Sequence, residues 1–304
     1  MRLILAGLLL LSAHAVAAAP PANSRTATPL TRACEQVGGR LASVGVRTCL
    51  RSGFTVSGIT SVRGVPLLYR DYAPRQLPGQ QHKLKRVLMI GGIHGDELSA
   101  VSLAFQWMDK LERERLQPFR WRVIPYANPD GLLVRPSTRT NANGIDLNRN
   151  FPTKDWDSDA VSYWKKSAKS DPRRYPGKKA ASEPETRWLI EQIRSFKPDA
   201  IVSIHAPYGV LDYDGTEEPP KQFGYLRLQP LGTYPGSLGN YGYNINVQVI
   251  TLELPSAGSM PTAMQTQRIW GDMLSWLEHN LPDDVPPPAA SAAAPSTSRD
   301  ASTP

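Results

Sequence analysis

The chain has 304 residues, enough for one large core or two small ones, and an ordinary globular composition in which 28 prolines point to loops or a tail. Its 35 Lys and Arg against 27 Asp and Glu leave a net charge of +8. That balance suits an anionic partner such as nucleic acid, lipid or cell wall, but a mildly basic soluble surface meets it as readily, so charge alone selects no function.

Taken in chain order, the first residues carry one positive charge at Arg2, an apolar run from Leu3 to Leu11, and small residues with Ala15-Val16-Ala17 as an A-x-A cleavage site. This is the pattern of a secretory signal peptide over 1–17. The apolar run is shorter than the ~20 residues a membrane span needs, and no cysteine sits near the cleavage site. The expected mature protein is therefore exported, periplasmic or secreted, with no membrane anchor. Residues 18–30 read as a Pro/Ala/Thr linker. Segment 31–80 holds both cysteines, Cys34 and Cys49, and a hairpin with its turn near Arg63-Gly64. In an oxidising compartment an even pair at short spacing favours a disulfide, worth roughly 3 kcal/mol in the chain-entropy model; two buried thiols are the alternative.

The main domain is expected over 81–280. KRVLMIGG reads as a buried strand ended by Gly91-Gly92. LSAVSLAFQWMDKLERERL reads as a helix whose apolar positions include Leu98, Val101, Phe105 and Met108. FRWRVIPYANPDG reads as a strand and turn, and 135–153 as a loop rich in Asn, Gly and Arg. Residues 154–180 are polar, with basic pairs at Lys165-Lys166, Arg173-Arg174 and Lys178-Lys179. Ser182, with Glu185 three residues on, predicts a capping box for the helix in EPETRWLIEQIRSF. KPDAIVSIH is a strand ending in His205, and VQVITLELP a strand ending in Glu253. A last helix covers MQTQRIWGDMLSWLEHN. The tail, 281–304, has too little apolar material for a core and reads as disordered. No internal repeat is visible. Alternating strands and helices predict an α/β domain with a mixed, mostly parallel central sheet flanked by helices. In such folds ligands bind beyond the carboxyl ends of strands. His94 follows one strand, His205 ends a second and Glu253 ends a third.

A catalytic zinc needs three N/O ligands and an open position. His94 and Glu97 in GGIHGDE supply two. Of the five histidines, His14 lies in the signal peptide, His82 in a polar loop and His279 near the tail, which leaves His205 as the natural third. Taken singly, each residue has an ordinary reading: a turn histidine, a strand-end glutamate, a structural ion pair between Asp146 and Arg149, a solvated Arg139.

The set GGIHGDE, NPDG at Asn128–Gly131, RTNANGIDLNRNFP at Arg139–Pro152, SIHAP at His205 and TLELP around Glu253 resembles the zinc metallocarboxypeptidase (funnelin) family. The resemblance covers roughly residues 55–278, and its details lie nearer the bacterial murein peptide amidase branch. It implies one Zn2+ per chain held by His94, Glu97 and His205, with Glu253 as general base toward the activated water. It implies that Arg139 polarises the scissile carbonyl, that Asn148 and Arg149 hold a substrate carboxylate, and that Asp146 orients His94. The substrate implied is a peptidoglycan stem peptide cut between γ-D-glutamate and meso-diaminopimelate. That branch often works in cytoplasmic recycling, whereas the leader here points to the periplasm. Charge matching suggests Asp212 and Asp214 for the free ammonium of diaminopimelate; the same pair reads as ordinary turn aspartates. Tyr234, in the loop GTYPGSLGNYGY, sits roughly where a mobile pocket tyrosine is expected.

Three rivals differ in observable ways. A general carboxypeptidase differs only in its pocket. A deacylase of the aspartoacylase type shares HxxE and Asp-Leu-Asn-Arg, but NPDG and TLELP favour the peptidase. A non-catalytic wall-binding protein would have lost a ligand or the base, and all four residues are present. Nucleic acid is not expected as a partner of an exported protein; the basic stretch at 165–179 reads as a solvated insertion near the site or a surface for anionic wall polymer.

Overall fold

The computed structural model describes residues 27–75 and 85–281. The leader, most of the linker, His82 and nearly all of the tail lie outside the described residues. The chain opens with α1 (Pro29–Arg40) and α2 (Val46–Arg51), joined by a disulfide between Cys34 and Cys49 with Cα atoms 5.5 Å apart. The hairpin follows as β1 (Thr55–Thr60) and β2 (Pro66–Tyr72), its turn at Arg63-Gly64 as the sequence predicts. Then come β3 (Arg86–Gly91), α3 (Leu98–Arg113), β4 (Arg120–Ile124), α4 (Pro129–Leu133), α5 (Trp156–Lys166) and α6 (Pro184–Phe196). The remainder is β5 (Ala200–His205), β6 (Val210–Asp214), β7 (Gln222–Phe223), β8 (Leu226–Leu228), α7 (Leu238–Asn244), β9 (Gln248–Glu253) and α8 (Ala263–Asn280).

These strands form one mixed sheet in the order β1-β2-β4-β3-β5-β9-β6-β8-β7. The four central strands, β4, β3, β5 and β9, are parallel, and antiparallel pairs flank them. The expected α/β architecture is what is found. The hairpin pairs through β2 with β4, so the disulfide-bearing segment extends the same sheet. The β3 run VLMI is apolar without alternation because both faces of the strand are covered. Val87 and Met89 pack with α3 and α8 on one face; Leu88 and Ile90 pack with α6 and α7 on the other. No helix among the described residues is long and apolar enough to cross a membrane.

Two local expectations are corrected, the capping box at Ser182 and the loop before Glu253. The capping box at Ser182 does not form. Glu183 is the N-cap of α6 and makes no side-chain cap bond. Ser182 Oγ instead donates to Glu183 Oε1 and accepts from Asn150 Nδ2, while Glu185 accepts from the Val62 N–H and Asn141 Nδ2. Tertiary donors have displaced the local cap. A capping box does form at Thr262 and Gln265, starting α8. The polar stretch 154–180 contains α5, and the glycine-rich loop before Glu253 contains α7, capped by the Ser237 side chain.

Candidate active site

The centre of the site sits at the carboxyl ends of the parallel strands. His94 and Glu97 occupy the turn between β3 and α3, with Glu97 the first non-helical residue before α3. This turn is pressed onto α4. A Cβ on Gly95 would lie 2.1 Å from the backbone carbon of Gly131, so only glycine allows the approach. The Asn128 side chain in NPDG caps α4 by accepting from the Gly131 N–H at 2.9 Å. His205 and Glu253 end neighbouring strands and are paired in register across β5 and β9.

The three candidate ligands are almost fully enclosed: His94 and His205 are 2% exposed and Glu97 4%. His94 Nδ1 lies 2.7 Å from Glu97 Oε1, and His205 Nδ1 lies 2.9 Å from Glu97 Oε2. The two Nδ1 atoms are 3.1 Å apart. On its far side His94 Nε2 meets Asp146 Oδ1 at 3.2 Å. With Nε2 donating to Asp146, the Nδ1 lone pair of His94 is turned inward toward His205 and Glu97. Two imidazoles and a carboxylate, all with a ligand atom within 4.8 Å of one another, form an N2O donor set that fits zinc. A carboxylate behind a ligating histidine fixes its ring and tautomer.

Asp146 also accepts from Arg139 Nε at 2.8 Å. Burial works to raise the Asp146 carboxyl, but the charges of Arg139 and His94 outweigh it and hold it well below the usual range. Arg139 Nη1 reaches His94 Nδ1 at 3.2 Å and lies 3.8 Å from Glu97 Oε1. Glu253 is buried, which pushes its carboxyl above the ordinary value; the nearest backbone donor is the Tyr208 N–H at 3.5 Å.

A cavity of about 410 Å3 opens over these groups and is also lined by Asn148, Arg149, Asp212, Asp214 and Tyr234. Arg149 is buried, and burial lowers its tendency to hold a proton. Its Nη1 donates to the Asn148 carbonyl at 2.6 Å, and its guanidinium lies 4.3 Å from the centre of the Tyr234 ring. No carboxylate among the described residues pairs with it. Asn148 Oδ1 accepts from the Leu238 N–H, tying this loop to the start of α7. On the other wall, Asp212 Oδ1 accepts from the Leu231 N–H at 3.1 Å. The Asp214 carboxyl has no hydrogen-bond donor among the described residues; burial, and then the neighbouring Asp212, push it up to about 7. Tyr234 donates its hydroxyl to the Leu231 carbonyl.

Every site residue named from the sequence therefore lines this cavity or, as Asp146, stands directly behind it. Further residues line it that were not assigned to it, among them the charged Asp96, Asp171, Arg173 and Arg174. The paired basics were visible, but nothing in the sequence says that the segment after α5 folds back over the strand ends.

Comparison with known proteins decides the family. A family model described as zinc carboxypeptidase matches residues 59–229. The chain belongs to the zinc carboxypeptidase family. It is accordingly a zinc-dependent peptidase, a hydrolase. It is similar to murein peptide amidase A of Escherichia coli (strain K12), 30% identical over 226 residues, which is 71% of this chain and 87% of that protein. Murein peptide amidase A of Vibrio campbellii is 33% identical over 202 residues, 64% of this chain and 77% of that one. Among solved structures, murein-tripeptide amidase from Escherichia coli O157 superposes with a TM-score of 0.52 at 28% identity, over 74% of this chain and 91% of that chain.

Proposed function

We propose that this zinc peptidase is an exported enzyme that cleaves peptidoglycan stem peptides at the γ-D-glutamyl–meso-diaminopimelate bond. The observation that carries the reading is Arg149, a buried guanidinium beside the ligand triad with no carboxylate partner among the described residues. A buried charge with no direct carboxylate partner is costly unless a ligand completes it, and a planar guanidinium suits a carboxylate through two parallel hydrogen bonds. The wall opposite in charge, Asp212 and Asp214, suits an ammonium group. A leaving residue with both a carboxylate and a side-chain ammonium matches the two walls, as meso-diaminopimelate does. The names of the relatives point the same way, and the secretory pattern of the first residues supports action in the periplasm.

In this reading His94, Glu97 and His205 hold the metal. Zinc, when bound, polarises a carbonyl group and acidifies water. Glu253 takes a proton from the attacking water on a carboxylate oxygen. The water oxygen bonds to the scissile carbonyl carbon, the C–N bond breaks, and Glu253 returns the proton to the departing nitrogen. Its burial favours this role by bringing the carboxyl nearer neutrality. Arg139, kept cationic by Asp146, stabilises charge developing on the carbonyl oxygen. Arg149 and Asn148 orient the carboxylate of the leaving residue, and Asp146 holds His94.

The deciding experiment is mass spectrometry of the zinc-loaded protein with L-Ala-γ-D-Glu-meso-diaminopimelate, beside Glu253→Gln. Free diaminopimelate from the wild type alone is the expected result. Cleavage of ordinary peptides but not of this one would replace the reading with a general carboxypeptidase. Unchanged preference for diaminopimelate after alanine replaces both Asp212 and Asp214 would remove these two from ammonium binding.

A further inference from the structure

The mouth of the cavity carries two arginines, with Asp96 and Asp171 beside them, that the leaving residue does not account for. Arg149 lies deep and buried, whereas the side chains of Arg173 and Arg174 are 58% and 41% exposed. All three line one cavity. A peptide whose last residue fills the deep part must trail its acyl portion toward the mouth. Arg173 is tethered there by donating Nη2 to Asp96 Oδ2 at 2.7 Å, and Asp96 adjoins the ligand Glu97, so the mouth is close to the scissile bond.

The two arginines are held in place but not used up. Asp171 begins their short turn by accepting from the Arg173 N–H at 2.9 Å. The Asp171 carbonyl accepts from Trp164 Nε1 at 2.7 Å, and the Trp164 and Tyr175 rings lie 4.8 Å apart. The Tyr175 carbonyl accepts from the Asp146 N–H at 2.9 Å, which locks the turn onto the loop that carries Arg149. Arg173 Nε and Nη1 have no acceptor among the described residues. Arg174 faces Asp171 only at 3.6 Å, beyond hydrogen-bond length.

We propose that Arg173 and Arg174 form an anion subsite that selects substrates with a free carboxylate on the acyl side of the scissile bond. The inference rests on the peptidase reading of this cavity and deepens it: a γ-linked glutamyl residue leaves its α-carboxylate free a few bonds from the scissile carbonyl, and an α-linked acidic residue presents one at similar reach. Both arginines are specificity residues; neither takes part in proton transfer.

The test is a ratio. kcat/KM is measured for two peptides that differ only in the glutamyl α-group, carboxylate in one and carboxamide in the other. Wild type, Arg173→Gln, Arg174→Gln, the double variant and the double lysine variant are compared at fixed ionic strength. The expected wild-type preference for the carboxylate is about tenfold or more, the size of a charge-assisted contact. The double glutamine variant should bring the ratio near one, and the lysine variant should keep part of it. A merely structural role would depress both peptides together and leave the ratio as it was, which would overturn the proposal. If the wild type cleaves neither peptide, the murein reading fails separately, and the same ratio is taken on ordinary peptides with Glu or Gln before the last residue. A Glu preference erased by the double variant sustains the subsite there, and no preference refutes it.

Discussion

The inner and outer walls of the cavity are built differently. The inner wall is made at the ends of central strands: His94 after β3, His205 ending β5 and Glu253 ending β9, with Asp146 and Arg139 locked behind them. Except for Glu253, its charges are matched by short contacts inside the protein. The outer wall comes from the loop that carries Arg149, from the turn after α5, from β6 and from the loop before α7, and its charges are incompletely matched: Arg149 lacks a carboxylate, Arg174 is loosely paired and the Asp214 carboxyl has no donor among the described residues. Bond-breaking chemistry needs groups held rigidly by packed strands, while selectivity needs charges that a substrate completes. On the proposed function, the inner wall governs rate and the outer wall governs choice.

The largest expected effects break the inner wall. Glu253→Gln should keep bound zinc yet lose about 10²- to 10⁴-fold in kcat, the range for a general base; metal analysis beside steady-state rates checks both. Gly95→Ala should lose zinc as well as activity, because its Cβ would meet the Gly131 backbone and force the ligand turn apart; normal metal content in that variant would show that the turn relaxes without cost. Chelation should abolish activity, and added zinc should restore it. Next comes the outer wall: Arg149→Gln should lower kcat/KM by roughly tenfold to a hundredfold, the worth of a hydrogen bond to a charged group, most steeply for substrates with a free terminal carboxylate, while zinc content stays unchanged.

A smaller effect concerns stability and pH. The folded pKa of Asp214, about 7, lies above its ordinary 3.8. Between those values the folded chain retains a proton that the unfolded chain has released, so wild-type stability falls as pH rises through that window. Asp214→Asn should therefore melt higher than wild type above pH 7, with the gap closing toward pH 4; a gap independent of pH would contradict the shift. Smallest for activity is removal of the disulfide. Replacing Cys34 and Cys49 by alanine should cost about 2–4 kcal/mol of stability in denaturant titrations, with kcat retained, since the bridge joins α1 to α2 away from both walls.

What the sequence by itself determined was the inner wall and the layer architecture. Strand-end positions are legible because a buried parallel strand is a continuous apolar run, so a histidine or glutamate at its end stands out as costly unless used. That logic picks out His94, His205 and Glu253, and the scarcity of histidines leaves few alternatives for the third ligand. Helices with a strong apolar stripe, α3, α6 and α8, were readable for the same reason. Tertiary structure alone decided the rest. Ser182 and Glu185 have a capping-box spacing, yet Asn150, Asn141 and the Val62 N–H claim their side chains. Arg173 and Arg174 read as solvated basics until the Tyr175 carbonyl, bonded to the Asp146 N–H, brings their turn over the strand ends. The approach of Gly95 to Gly131 joins residues 36 positions apart, and the raised carboxyl of Asp214 depends on what buries it. Local pattern reports which residues prefer burial or a regular backbone; which loop closes over which strand depends on distant contacts, and the outer wall is made of those.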